Sequence, residues 1–192
     1  LAYLRLLENP RDDNSFLRVV NFPPRVIGAR SIEQLQDAAK SLGCPLNDAV
    51  SGIAGKAGAN LGAFVAKLDV LREQTQGQTL RQIIELVLDH SQLLTHYQNE
   101  REGADRVENL QELVNAAESF VTQEGFGKDA VAWPLDEQAN NTDTGETLSP
   151  LAAFLSHAAL EAGDNQAQAG QDAIQLMTVH AAKGLEFDAV FI

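Results

Sequence analysis

The chain has 192 residues, 44% of them hydrophobic and 21% charged, with 14 Lys/Arg against 27 Asp/Glu and a formal net charge of −13. Such a composition can bury a proper core and excludes wholesale disorder. No apolar run approaches the roughly 18 residues of a membrane span, and no basic region followed by an apolar stretch marks a secretory signal at the start. A single cysteine, Cys44, excludes an internal disulfide and fits a reducing, cytoplasmic setting.

A net charge of −13 argues at first against nucleic acid, because an anionic surface repels phosphate. Its distribution changes that argument. Residues 1–60 hold seven Lys/Arg against six Asp/Glu, a sum of +1, and the remaining 132 residues hold seven against 21, a sum of −14. Any DNA contact is therefore expected mainly from the first third. The acidic remainder, including Glu100, Glu102, Asp105, Glu108 and Glu112, reads as a solvated face.

In chain order, residues 1–9 read as the end of an amphipathic helix stopped by Asn9-Pro10. Asp12 or Asp13 can cap a second helix running to about Asn21. Pro23-Pro24 imposes an extended turn, and Ser31 suits the cap of a helix over 32–42 that Gly43 ends. A short helix fits 47–55. Gly52, Gly55, Gly58 and Gly62 predict tight turns before a helix from Asn60 to about Gln74. Thr79 caps the next helix, a short one carries Leu93, Leu94 and Tyr97, and 103–124 is the longest periodic segment. Residues 125–148, rich in Gly, Asn, Asp and Thr, read as a surface loop, with its Trp133 as a packing anchor. Ser149-Pro150 opens a last helix to about Leu160, and 162–171 reads as a polar linker. Ala173–Val179 and Ala189–Ile192 then read as strands. The start at Leu1 inside an apolar pattern and the end at Val190-Phe191-Ile192 suggest a segment excised from a longer chain.

The strongest chemical constellation follows the first of these strands: Thr178, His180, Lys183, Gly184 and Glu186 fall within nine positions. Ligands in open α/β sheets bind beyond the carboxyl ends of strands, and a Lys-Gly pair there suits phosphate. An ordinary strand-to-helix connection accounts for the same residue types equally well. A second candidate is Gly55-Lys56-Ala57-Gly58-Ala59-Asn60, which opens a helix. Backbone amides at a helix N-terminus plus one lysine make a small phosphate site, whereas a plain glycine turn is the simpler alternative. His90, His96 and His157 show no ligand spacing with Cys or carboxylates, so no metal site is expected, and no carboxylate cluster suggests a nuclease.

Three segments carry a family resemblance. MTVHAAKGLEF (177–187) resembles motif V of the UvrD/Rep/PcrA-type superfamily 1 DNA helicases. AYLRLLENPRDDNSFLRVVNFPPRVIG (2–28) resembles the stretch that follows motif IV and enters their inserted 2B domain. RVENLQELVNAAESF (106–120) is similar to a helix of that domain. RecB-type helicase-nucleases carry a related His-x-x-Lys-Gly-Leu-Glu but generally lack the Met-Thr context, and rank second. A third reading is a non-enzymatic module whose acidic helices bind partner proteins.

The resemblance implies a mainly α fold: a helical accessory (2B-like) domain over 12–161, inserted in an α/β RecA-like 2A domain of which only flanking pieces are present. Those pieces are 1–11, a linker at 162–172, and 173–192 with motif V. It further implies that Thr178 and His180 face single-stranded DNA and that Lys183, Gly184 and Glu186 lie by the nucleotide cleft. Duplex DNA would be met by the turn Arg25-Val26-Ile27-Gly28 with Arg30, and by Lys56, Gly58 and Asn60. Val26 stands where the family turn has its first glycine, so a position requiring φ > 0 would be strained there. The intact protein is expected to be an ATP-dependent 3′–5′ DNA translocase using ATP and Mg²⁺. Its partners would be single-stranded DNA and duplex junctions, together with repair proteins or a second copy. These 192 residues hold no Gly-x-x-x-x-Gly-Lys-Ser/Thr loop, so on their own they are expected to bind no nucleotide and show no ATPase.

Overall fold

The computed structural model describes residues 1–124 and 149–162, with side chains as far as Leu160. Among the described residues there are nine α-helices, one short 3-10 turn and no strand, a mainly α architecture as expected. The loop at 125–148, the strands expected at 173–179 and 189–192, and all but the first residue of the 162–172 linker lie outside the described residues.

Helix α1 (Ala2–Glu8) buries Tyr3, Leu4, Leu6 and Leu7, and Asn9 turns the chain extended. Helix α2 (Asp13–Val19) is capped by Asp12, whose Oδ1 accepts the Ser15 amide at 3.0 Å and whose Oδ2 accepts the Ser15 hydroxyl at 2.6 Å. It ends two residues short of Asn21 because that side chain is used in the following turn. Partial burial disfavours the Asp12 carboxylate, but the Ser15 hydroxyl and amide outweigh it and hold the group below the usual carboxylate range. A depressed carboxyl stabilises the fold at neutral pH, and that contribution is lost as pH falls through its folded value. Asp12→Ala is accordingly expected to cost about 1 kcal/mol at pH 7. Urea denaturation repeated towards pH 3 should show the difference from wild type shrinking; a pH-independent difference contradicts the capping role.

Helix α3 (Ala29–Leu42) begins three residues before the expected start. Gly28, not Ser31, is its N-cap, because the Gly28 carbonyl already accepts the Ser31 and Ile32 amides at 3.0 and 3.3 Å. Gly43 ends it in the left-handed conformation, φ +63°. The short helix expected at 47–55 is two pieces, α4 (Leu46–Ala49) and a 3-10 turn at Val50–Gly52.

Helix α5 (Gly55–Thr75) is the longest of the described helices and starts five residues earlier than expected, so three of the four glycines read as turns, Gly55, Gly58 and Gly62, lie inside it. A Cβ on Gly58 would meet the Ile53 carbonyl oxygen at 1.8 Å. The residue is glycine because the first turn of α5 packs directly on the preceding backbone. Leu61, Phe64, Leu68, Leu71 and Thr75 then form one buried stripe at alternating three- and four-residue spacing. That stripe faces α1 and α6, and burying each large side chain contributes about 2 kcal/mol.

Helix α6 (Leu80–Ser91) opens with a capping box. The Thr79 amide donates to Gln82 Oε1 at 2.9 Å, and the Gln82 amide donates to Thr79 Oγ1 at 3.4 Å. Gln92, at φ +62°, separates it from α7 (Leu93–Gln98). Helix α8 (Ala104–Gln123) packs on α6 and α7 through Val114, Ala117, Phe120 and Val121, and leaves Asp105, Glu108, Glu112 and Glu118 exposed. Arg81 of α6 bridges Glu85 at 2.9 Å and Glu118 of α8 at 2.6 Å, a solvated network of small energetic weight. Helix α9 (Pro150–Ala162) is capped by Ser149 Oγ, which accepts the Ala152 amide at 3.0 Å. Phe154 of α9 meets Phe120 edge to face, with ring centroids 5.5 Å apart. No helix among the described residues is long and apolar enough to cross a membrane.

Candidate nucleic-acid interface

Two of the segments singled out in the sequence lie side by side. The turn at 25–28 and the opening of α5 at 55–60 are joined by one hydrogen bond, Asn60 Nδ2 donating to the Val26 carbonyl at 3.1 Å. The turn leads straight into α3, so the N-termini of α3 and α5 both open within a few residues of that bond. Backbone amides at such ends are unpaired within the helix and carry partial positive charge. Arg30 in the first turn of α3 and Lys56 in the first turn of α5 are both exposed, and neither has an ion pair among the described residues.

The turn itself is held from below. Asn21 Oδ1 accepts the amides of Arg25 at 2.8 Å and Ile27 at 3.2 Å. Ile27 is fully buried and anchors the turn in the core. Val26 between them has φ +60° and a side chain 79% exposed. The valine thus adopts the left-handed conformation that the sequence suggested a glycine would supply. For a β-branched residue this stores about 1–3 kcal/mol of strain, which persists only because the neighbours fix the backbone.

Arg25 is placed differently from its neighbours. Its guanidinium turns inward, and Nη1 donates to the carbonyls of Val19 at 2.8 Å and Pro23 at 3.1 Å. Nη2 donates to the Tyr3 hydroxyl and to the Ser91 carbonyl at 3.3 Å. The cation also lies 5.3 Å from the Phe64 ring centre and 5.7 Å from that of Tyr3. Four of its five N–H donors are occupied within the fold, which leaves the side chain little with which to meet a phosphate. Gly58, another expected duplex contact, is fully accounted for by its approach to Ile53. Gly28 is the extended N-cap of α3, and Asn60 spends a side-chain N–H on Val26.

Sequence reasoning did not single out Tyr3, Asn21, Phe64 or Ser91 as parts of this site. For Asn21 a signal existed: an asparagine just ahead of Pro-Pro is a common brace for a turn. Thr178, His180, Lys183, Gly184 and Glu186 lie outside the described residues.

The chain matches the family model of the UvrD-like helicase C-terminal domain over residues 1–192 and belongs to that family. Among curated proteins it is 40% identical over 200 residues to "DNA helicase II" of Escherichia coli. It is 33% identical over 205 residues to "ATP-dependent DNA helicase PcrA" of Bacillus subtilis, and 35% over 205 residues to "ATP-dependent DNA helicase UvrD1" of Mycobacterium leprae. All of this chain is covered in each case, and it spans about a quarter of the length of those relatives, 25%, 25% and 26% respectively.

Proposed function

We propose that this chain is the accessory-domain segment of an ATP-dependent 3′–5′ DNA helicase, and that it grips duplex DNA where α3 and α5 begin. The observation that carries the reading is the Asn60–Val26 hydrogen bond, which brings two helix N-termini and their exposed cations, Arg30 and Lys56, to one place. It falls in the one third of the chain without excess acid. Arg30, Lys56 and the free amides of both first turns would hold phosphate oxygens, while Gly28, Gly58 and Asn60 shape the surface that presents them.

The remainder of the reading rests on the family resemblance of residues 177–187. Thr178 and His180 would face single-stranded DNA, and Lys183, Gly184 and Glu186 would border a cleft for ATP and Mg²⁺. The loop that grips the nucleotide phosphates would be supplied by sequence outside these 192 residues. In this scheme residues 12–161 form the accessory domain and 1–11 and 173–192 belong to the motor lobe. The protein works in the cytoplasm at single-strand/duplex junctions, with repair proteins or a second copy as further partners.

Fluorescence anisotropy of the 192-residue chain on a hairpin duplex with a 3′ tail tests the duplex grip. Lys56→Glu and Arg30→Glu are each expected to weaken binding and to lower the dependence of log K on log salt by about one. Affinity and slope unchanged in both variants would remove the α3/α5 surface from the interface. Near-zero affinity of the wild-type chain at low salt would favour an acidic protein-interaction module instead.

A further inference from the structure

Arg25 joins more parts of the fold than any side chain near the proposed duplex surface. Val19 is the last residue of α2 and Ser91 the last of α6, so the guanidinium satisfies one carbonyl at each of two helix C-termini, where a cation is favoured. Tyr3 of α1 accepts from Arg25 and donates its own hydroxyl to the Phe22 carbonyl at 2.5 Å, so α1 holds both flanks of Pro23-Pro24. Burial pushes the Tyr3 hydroxyl above its usual range, against the pull of the Arg25 charge, and it stays a donor at any working pH. Phe64 of α5 lies against the cation. The backbone of Val26 is one residue away, fixed in a conformation it would not hold in isolation.

We infer that Arg25 is a positioning residue for duplex binding, and that the Tyr3–Arg25 pair transmits the position of α1 to the DNA-facing turn. This rests on the duplex grip proposed above and adds to it a rigid path from the first helix of the chain. Arg25 acts on DNA by fixing where the N-termini of α3 and α5 stand, without touching a phosphate. The turn and α1 move as one body, so a displacement of α1 displaces the duplex surface with it.

The test uses the 192-residue chain with the tailed hairpin, well below the melting temperature of every variant. Tyr3→Phe, which keeps the ring and removes the hydroxyl, is expected to weaken duplex binding about threefold or more with an unchanged salt slope. Arg25→Gln is expected to weaken it further, again with an unchanged slope, and the double variant to lose less than the two single losses combined. A slope lowered by about 0.9 in Arg25→Gln would make Arg25 a phosphate ligand and overturn the inference. So would a duplex Kd unmoved in folded Tyr3→Phe, because a purely structural role lowers the melting temperature and leaves the affinity of folded molecules alone. Lys56→Glu in the same assay separates the two ideas. If its slope falls while Tyr3→Phe has no effect, the duplex grip stands and the positioning role fails. If Lys56→Glu and Arg30→Glu have no effect, the grip itself fails and the inference goes with it.

Discussion

Gly58→Ala is expected to destabilise the fold by about 3 kcal/mol, at the upper end of the cost of overpacking. The added methyl would sit 1.8 Å from the Ile53 carbonyl oxygen and 2.7 Å from its carbon. Neither atom is the movable end of a side chain, so the first turn of α5 or the 3-10 turn before it must shift. At about 3 °C per kcal/mol for a domain of this size, the melting temperature should fall by roughly 9 °C. Gly62→Ala provides the control on the same helix. Nothing lies within 4 Å of its added methyl, so alanine's better helix propensity should raise stability by about 1 kcal/mol. Because α5 carries Lys56 and Asn60, Gly58→Ala should also weaken the proposed duplex binding in proportion to the fraction of molecules it unfolds. Equal melting temperatures for the two variants would mean the Gly58 approach to Ile53 does not constrain the fold.

Phe64→Ala is the other large effect. Phe64 is 3% exposed, meets Phe16 edge to face at 5.5 Å, and lies under the Arg25 guanidinium at 5.3 Å. Truncation removes the buried ring, leaves a cavity at the centre of the α5 stripe and strips one face from a half-buried cation. The expected cost is about 4 kcal/mol in urea denaturation. Phe64→Leu refills most of the volume and should recover more than half of that loss, the remainder being the ring's interactions with Phe16 and Arg25. A loss below about 1.5 kcal/mol for alanine would contradict the central place given to this residue.

What could be read before the fold was known followed the range of each interaction. The capping residues Asp12, Thr79 and Ser149 act on amides no more than three residues away, so Thr79 was legible outright, Asp12 as one of two adjacent candidates and Ser149 as the opening of its helix. The start of α3 was misplaced because Ser31 suits a cap that the fold places at Gly28 instead, and that of α5 because its first residue, Gly55, reads locally as a break. Gly28 can nevertheless cap a helix, and Gly58 can sit inside one where another backbone crosses it. The strain at Val26 was anticipated from a single substitution in a familiar turn, since conformational preference is a property of the residue itself. Arg25 was read as a DNA contact because the turn Arg25-Val26-Ile27-Gly28 resembles a duplex-binding turn of the family. Its partners at Tyr3 and Ser91 are 22 and 66 residues away, and no local pattern announces them. The pairing of Asn60 with Val26, 34 residues apart, was equally invisible, although both residues had been singled out separately.

The exposed carboxylates along α8 have a kinetic consequence. A polyanion drifting towards Asp105, Glu108 and Glu112 meets repulsion, whereas one nearing the exposed cations Arg30 and Lys56 meets attraction. If α3 and α5 grip duplex DNA as proposed, encounters would be sorted by charge before any contact forms, in favour of those that bring DNA to Arg30 and Lys56. Adding salt should erase that sorting within a Debye length of about 10 Å at 0.1 M, and unproductive collisions should then become as frequent as productive ones.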